Sequence, residues 1–344
     1  MQNSIQILDP LSCEGWDERL ARHEKINFFH SRAWARVLHE TYGYQPMYFG
    51  SLNSDSIKTL LPLMEIKSIL TGKRGVSLPF TDYCEPIFEN GTDFDQLLQS
   101  AQQHGKQSRW QWIQVRGGDG IDAEPDQQYC VHELKLESDT ENLFSRLRSS
   151  KRRNIRKAQS EKIQIIHSQD NEAVDAYYRL HCQTRKRHGV PPQPYRFFHK
   201  IFEHVISKGQ GKVVLALHQK KMVAGSIYFH FRQKALYKFG ASDMSFQHLR
   251  ANDLVMWEAV KWYAAEGYQR FCFGRTALNN TGLRRFKSDW GAAERIINYY
   301  KYDLRHDDFV TTQPSENLLQ QRIFQLLPVP ALKLCGSALY RHMG

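Results

Sequence analysis

The sequence is short of most features that would assign a chain early to a class. Its six cysteines, Cys13, Cys84, Cys130, Cys182, Cys272 and Cys335, are never closer than 46 positions, and none forms a Cys-x-x-Cys pair. That spacing provides neither a zinc knuckle nor a dithiol redox motif, and reduced thiols are the economical reading. Among the histidines, His181, His188, His199, His204, His230 and His248 make no His-x-His or His-Glu-x-x-His pattern, so no metal is expected. No run of 18 apolar residues occurs, which argues against a bilayer span. Residues 1–10 carry no basic stretch and no apolar run, so no secretory leader is expected and the reading is cytoplasmic. With 21 Gly, 12 Pro and 41% hydrophobic residues, the composition excludes disordered and fibrous classes. No repeat of solenoid period is visible.

What the chain has is length and an uneven charge. At 344 residues it suits two domains better than one core. The net charge of +11 is divided: residues 1–140 hold 13 Lys and Arg against 20 Asp and Glu, whereas residues 141–344 hold 34 against 16. An acidic front joined to a basic back points to a surface that handles anions.

Hydrophobic patterning predicts a front unit of mixed elements. It has a helix at 34–42, a hairpin of 47–53 and 57–66 around Ser54-Asp55, a helix at 93–105, and strands at 110–116 and 129–136. The back half opens with a basic helical stretch, 141–161, then a strand at 162–167 and a helix at 171–187. After the stiff loop 189–194 come a helix at 195–207 and strands at 212–218, 222–231 and 235–241. A helix at 252–266, a strand at 268–273, a short helix at 282–288 and a strand at 296–302 complete it. This order is that of a mixed twisted sheet flanked by helices, an α/β (α+β) fold. The expected domains are 1–140 and 141–314, with an amphipathic helical tail over 315–344 that Pro328 and Pro330 interrupt.

Three constellations carry chemistry. The loop Gln247-His248-Leu249-Arg250-Ala251-Asn252 joins a strand to a helix, where free N–H groups and the helix dipole suit a pyrophosphate. Arg250 and Asn252 are therefore candidate anion ligands, and Asn252 is also a good N-cap. The second is the loop and cationic turn from Phe273 to Gly291, in which Arg275, Arg284 and Lys287 are candidates for an anion or oxyanion, against the plainer reading of a solvated basic helix packed through Leu283, Phe286 and Trp290. The third is the basic stretch Arg146–Lys157. Spacing sets Arg146, Ser149, Arg153 and Lys157 on one helix face, for a phosphate, a nucleic acid or solvent. Aromatic residues for base stacking are missing within it, which counts against sequence-reading of RNA.

Several of these strings resemble one family. Gly282-Leu283-x-x-Phe286-Lys287-x-x-Trp290-Gly291 looks like the G-L-x-x-F-K-x-x-F/W-G motif of the FemABX-like branch of GNAT-fold transferases. Phe271-x-Phe273-Gly274, Tyr237-x-x-Gly240-Ala241-Ser242, Asn252-x-Leu254-x-x-Trp257-Glu258 and Thr184-x-x-Arg187-x-Gly189 are similar to its other signatures, in order over residues 180–295. The loop at Gln247–Asn252 resembles a degraded form of the Q/R-x-x-G-x-G/A loop by which GNAT enzymes hold coenzyme A. Arg185-Lys186-Arg187-His188-Gly189-Val190-Pro191 is similar to a string of FemAB-like proteins associated with exosortase (PEP-CTERM) and exopolysaccharide systems. Residues 1–140 match only in outline.

The resemblance implies two GNAT-like domains and transfer of an acyl or aminoacyl group to an amine of a cell-envelope or exopolysaccharide precursor. Acyl-CoA or aminoacyl-tRNA would be the co-substrate, with no bound cofactor, and a small or lipid-linked carbohydrate the acceptor. It implies catalytic roles for Lys287 and Tyr237 and ligand roles for Arg187, Arg185 and Thr184. A cation in a dry site stabilises the oxyanion of aminolysis, which suits Lys287. No Ser-His-Asp or Cys-His nucleophile is apparent, so direct transfer is favoured; Asp243 and Glu258 are candidate bases. The long helical arm that some members use for tRNA is missing, which weakens tRNA as a partner. The competing reading is a non-catalytic nucleotide- or polyanion-binding module on a decayed core. The tail, 316–343, either docks on the protein's own body or lies on the inner face of an anionic membrane.

Overall fold

The computed structural model describes residues 4–21, 23–53, 56–312 and 318–344. The turn at Ser54-Asp55, the first three residues of the chain and the boundary at 314/315 lie outside the described residues. In chain order the front elements are β1 (Gln6–Leu8), α1 (Trp16–Leu20), α2 (Arg32–Tyr42), β2 (Gln45–Pro46), β3 (Tyr48–Leu52), β4 (Ile57–Leu61), β5 (Met64–Ser68), β6 (Gly72–Val76), α3 (Gly91–Gln107) and β7 (Trp112–Arg116). There follow β8 (Gln127–Lys135), α4 (Thr140–Arg146), α5 (Ser149–Ser160), β9 (Gln164–Ser168), α6 (Asn171–Arg187), α7 (Tyr195–Ile201), β10 (Gly211–His218), β11 (Lys221–Phe231) and β12 (Lys234–Ser242). The last are α8 (Ala251–Ala265), β13 (Arg270–Ala277), α9 (Thr281–Ser288), β14 (Ala293–Asp303), β15 (Asp308–Phe309), α10 (Leu318–Leu326) and α11 (Val329–Leu339).

Two compact units result: Met1–Tyr129 with Ile296–Ser315 and Leu339–Gly344, and Cys130–Arg295 with Glu316–Ala338. The front unit thus takes in 296–315, which a cut at 140/141 assigns to the back domain. Its strands run β2-β5-β6-β7-β14, with β1-β3-β4 as a separate three-stranded sheet. The β6 and β7 strands are parallel, as a crossover through α3 requires. Asn90 starts α3 by accepting the N–H of Asp93 at 3.0 Å, and Phe94, Leu97, Leu98 and Ala101 bury its inner face beside Trp110, Ile113 and Val115. The end of the chain is part of this unit: Tyr44 Oη donates to the carbonyls of Tyr340 and Met343 at 3.0 and 2.9 Å.

The back unit repeats the plan. Its strands run β8-β13-β12-β11-β10-β9. The β9–β12 strands are antiparallel to one another, and β12 and β13 are parallel across α8. The β10–β11 hairpin turns through Gln219 and Lys220, both at positive φ. Apolar residues surround α8 on every side, and Leu254, Val255, Met256, Trp257, Ala259, Val260, Tyr263 and Ala264 are all buried. They share a core with Leu143, Ile155, Val214, Tyr228, Phe271 and Trp290. The mixed sheet flanked by helices is the architecture expected from the sequence.

Three local readings need correction. The basic stretch 141–161 is two helices, because the chain extends at Leu147 and Arg148 and the N–H of Arg148 donates to the carbonyl of Asp289 at 3.1 Å. Arg146 therefore shares no helix face with Ser149, Arg153 and Lys157. Ile57–Ile66 is two strands, β4 and β5, since neither Pro62 nor Leu63 is in strand. The strand expected to end at Gly274 continues to Ala277, bent where Gly274 takes φ 71°.

Candidate active site

At the start of α8 the back unit has a partly open cavity of about 220 Å3, lined by the start of β11, the end of β12, the turn before α8, the first residues of α8, α5 and Phe286 of α9. Arg250 is the pivot. It holds left-handed backbone, φ 58° and ψ 27°, at the cap position of α8. This is a conformation that costs a non-glycine residue roughly 1–2 kcal/mol. Ala251, Asn252 and Asp253, the first residues of the helix, line the cavity, and the leading N–H groups of a helix lack the partner one full turn back that later ones have. Arg250 and Asn252 are exposed and line the cavity. Since α8 begins at Ala251, Asn252 is its second residue and does not cap it; that part of the reading is corrected.

The cavity's inner wall is an ion pair that sequence reasoning missed. Lys151 on α5 donates to Asp253 at 2.7 Å, and both side chains are over nine-tenths buried. Asn154 donates to the other carboxylate oxygen at 2.9 Å. Lys151 also stands 3.6 Å from the centroid of the Phe286 ring. A buried pair of this kind tolerates the loss of neither partner, because the remaining charge would be stranded. Asp253, in the first turn of α8, also complements the helix dipole.

The C-terminal end of α6 is fastened to this cavity. Thr184 Oγ1 donates to the carbonyl of Ser242 at 3.3 Å and accepts its N–H at 3.1 Å, and Ser242 lines the cavity. Arg187 reaches the same carbonyl at 3.5 Å. Arg185 instead donates to the carbonyl of Pro191 at 3.3 Å, which fixes the proline-rich loop.

A second feature adjoins. The parallel register of β12 and β13 runs from Lys234–Arg270 to Leu236–Cys272, after which β12 continues to Ser242 and β13 to Ala277. The strands part there, just before Tyr237 on β12 and Phe273-Gly274 on β13. Burial pushes the Tyr237 hydroxyl up to about 12, partly offset by its hydrogen bond with Ser226. A β-carbon on Gly240 would collide with that hydroxyl, so glycine is needed there. Lys287, 4% exposed, donates to the carbonyls of Gly274 at 2.7 Å and Arg275 at 3.1 Å. It holds the bend of β13 from below.

Around Lys287 lies a polar cluster. His132 Nε2 is 3.0 Å from Glu294 and 3.2 Å from Ser288 Oγ. Burial keeps His132 below the usual imidazole range, against the pull of Glu294. Cys130, His132 and Glu294 bring their ligand atoms within 4.8 Å of one another, a donor set that the sequence spacing did not suggest. Arg284, however, grips both oxygens of Glu294 at 2.6 and 3.0 Å. Burial and the Glu294 charge raise the Cys130 thiol, so it stays protonated.

The remaining candidates are spread. Arg153 is exposed on α5 and does not line the cavity, to which α5 contributes Lys151 and Asn154. Arg275 is half-buried on β13 and supplies a carbonyl to Lys287. Glu258 pairs with Lys261 at 2.6 Å. Asp243 lines the cavity and pairs with Lys221 at 3.2 Å. Its slight burial is outweighed by the Ser245 N–H and Lys221, which hold its carboxyl below the usual range. Neither Lys151 nor Asp253 had a local signal in the sequence, since the pair spans 102 positions.

Comparison with known proteins defines the class of fold. Residues 145–288 match the family model described as the acetyltransferase (GNAT) domain. The fold is similar to the crystal structure of FemX, with TM-score 0.69 and 14% identity over 88% of this chain and 98% of that one. It is also similar to a tandem GNAT protein from the clavulanic acid biosynthesis pathway, with TM-score 0.56 and 8% identity over 92% and 100% of the chains. A third likeness is to the C-terminal domain of a putative lysylphosphatidylglycerol synthetase from Agrobacterium fabrum, with TM-score 0.53 and 12% identity over 76% and 85%. No curated protein matches the sequence. The chain thus has a mixed α/β fold of the tandem GNAT kind.

Proposed function

We propose that the chain is a transferase that moves an acyl or aminoacyl group from an activated donor to an amine of a cell-envelope or exopolysaccharide precursor. The observation that carries this is the adjacency, within one unit, of the cavity at the start of α8 and the parting of β12 from β13. The first suits the phosphates of a donor such as acyl-CoA, through backbone N–H groups, Arg250 and Asn252. The second suits the extended arm that ends in the reactive carbonyl. The likeness of the fold to FemX and to a putative lysylphosphatidylglycerol synthetase supports an acceptor of the envelope.

In this reading the amine attacks the donor carbonyl directly and a tetrahedral oxyanion forms. The backbone at the parted strands, stiffened by Lys287, and the positive charge of Lys287 stabilise that oxyanion. Tyr237, protonated at neutral pH, gives its proton to the leaving group as the carbonyl re-forms, and the phenolate left behind takes up the proton that the attacking amine loses. Thr184 and Arg187 position the mouth of the cavity through Ser242, and Arg185 the loop beyond.

The test compares coenzyme A, an aminoacyl-adenosine analogue and inorganic polyphosphate by isothermal titration. Arg250→Gln should weaken the donor-like ligand by about tenfold or more, the worth of one charge-assisted contact, without shifting the melting temperature. Binding of polyphosphate alone would overturn the transferase in favour of a polyanion-binding module. Donor binding unchanged in the variant would overturn the assignment of the phosphate site.

A further inference from the structure

Among the described residues no helix is long and apolar enough to cross a membrane, yet α10 turns an apolar stripe to solvent. Leu319, Ile323 and Leu326, spaced i, i+4 and i+7 on one face, are 70%, 50% and 84% exposed. Leu334 on α11 is 74% exposed. Leaving four large aliphatic side chains in water forfeits burial free energy that packing would otherwise supply.

The other side of these helices is firmly seated. Phe324 and Leu327 are half-buried and Leu332 is fully buried. Gln325 donates to the carbonyl of Arg187 at 3.1 Å. Gly189 and Gly336 each meet backbone so closely, at Gln321 and Pro192 respectively, that a β-carbon on either would clash. The stripe therefore faces outward on a helix that its opposite face holds in place.

Charge identifies what would cover it. From residue 317 to 344 the chain has no Asp or Glu, while it carries Arg322, Lys333, Arg341 and His342. The end of α6, to which α10 is fastened, adds the half-buried Arg185, Lys186 and Arg187. Aliphatic side chains beside cations and free of carboxylates complement an anionic lipid surface, which needs no matching shape. A second copy of the chain would need roughly 800 Å2 per partner for a stable dimer, more than three side chains provide.

We propose that α10 seats the back unit on the surface of an anionic bilayer, with Leu319, Ile323 and Leu326 in the interface and Arg322 among the lipid phosphates. The helix that anchors it, α6, also ties to Ser242 at the cavity through Thr184 and Arg187. Docking would accordingly bring that cavity to an acceptor dissolved in the membrane. This goes beyond the transfer reading and does not depend on turnover.

The experiment is flotation of the full chain with vesicles of phosphatidylcholine alone and of phosphatidylcholine with 30 mol% phosphatidylglycerol (about one anionic lipid in three). Binding is expected only to the anionic vesicles. The triple substitution Leu319→Ser, Ile323→Ser and Leu326→Ser should reduce it at least tenfold, with the melting temperature kept because all three side chains are exposed. Arg322→Gln should reduce it about fivefold, the worth of one interfacial cation. Absence of flotation, equal binding to neutral vesicles or undiminished binding of the triple variant would each overturn the proposal. So would a dimer that the triple substitution dissociates in sedimentation velocity, since the stripe would then be a self-association face.

Discussion

Lys287 is an unusual cation to find beneath a strand: it is almost fully buried and holds two backbone carbonyls of β13. Removing it would strand those acceptors and release the bend at Gly274. Lys287→Ala is expected to cost about 2–6 kcal/mol of stability, counting the two unsatisfied carbonyls at roughly 1–3 each. It should also slow transfer by about 10²–10³, the usual size of one oxyanion contact. Urea denaturation and a transfer assay run well below the variant's melting temperature separate the two effects. A folded variant with full activity would remove Lys287 from the mechanism. The lysine stood out in the sequence because its neighbours form a motif. Asp253 did not, because its value lies in Lys151 and Asn154, about 100 positions away.

At the scale of elements, much of the fold could be read from periodicity and turn chemistry. α6 was readable end to end, since Asp170 starts it and Gly189 follows its last turn. The β10–β11 hairpin was readable from the polar turn between two apolar runs. The break between α4 and α5 was not, because its cause is the distant carbonyl of Asp289. Nor was the left-handed Arg250, since an arginine where glycine is expected reads as a damaged loop until the backbone is seen. Nor was the place of Gly336 in α11, where it lies against the carbonyl of Pro192. Gly336→Ala should therefore destabilise the seating of α10 and α11 by about 1–3 kcal/mol, as overpacking does. Limited proteolysis within 318–339 should accelerate several-fold while the rest of the chain stays resistant; unchanged cleavage would show that the contact yields.

Across the whole molecule, charge and burial together set a dependence on pH. The formal charge of +11 counts the 15 histidines as neutral, and burial keeps several of them so. His181 is the extreme case: it is 4% exposed, bonded to Gln193 at 2.8 Å, and burial with the nearby Arg185 charge lowers it from 6.5 to about 3. His104, His132, His167, His188 and His230 are lowered in the same direction, in each case first by burial. Above pH 6.5 both folded and unfolded chains hold His181 neutral, and its contribution to stability is complete. Below that value the unfolded chain takes up a proton that the folded one refuses, so stability falls as pH drops from 6.5 toward about 3. At 1.36 kcal/mol per pH unit, His181 alone accounts for about 2 kcal/mol of loss by pH 5. The urea midpoint should accordingly fall steadily from pH 7.5 to pH 5, and His181→Gln should flatten that slope even if it lowers the midpoint at pH 7.5. A midpoint that stays level across this range in the unsubstituted protein would mean that the histidine sites admit water and protons without unfolding.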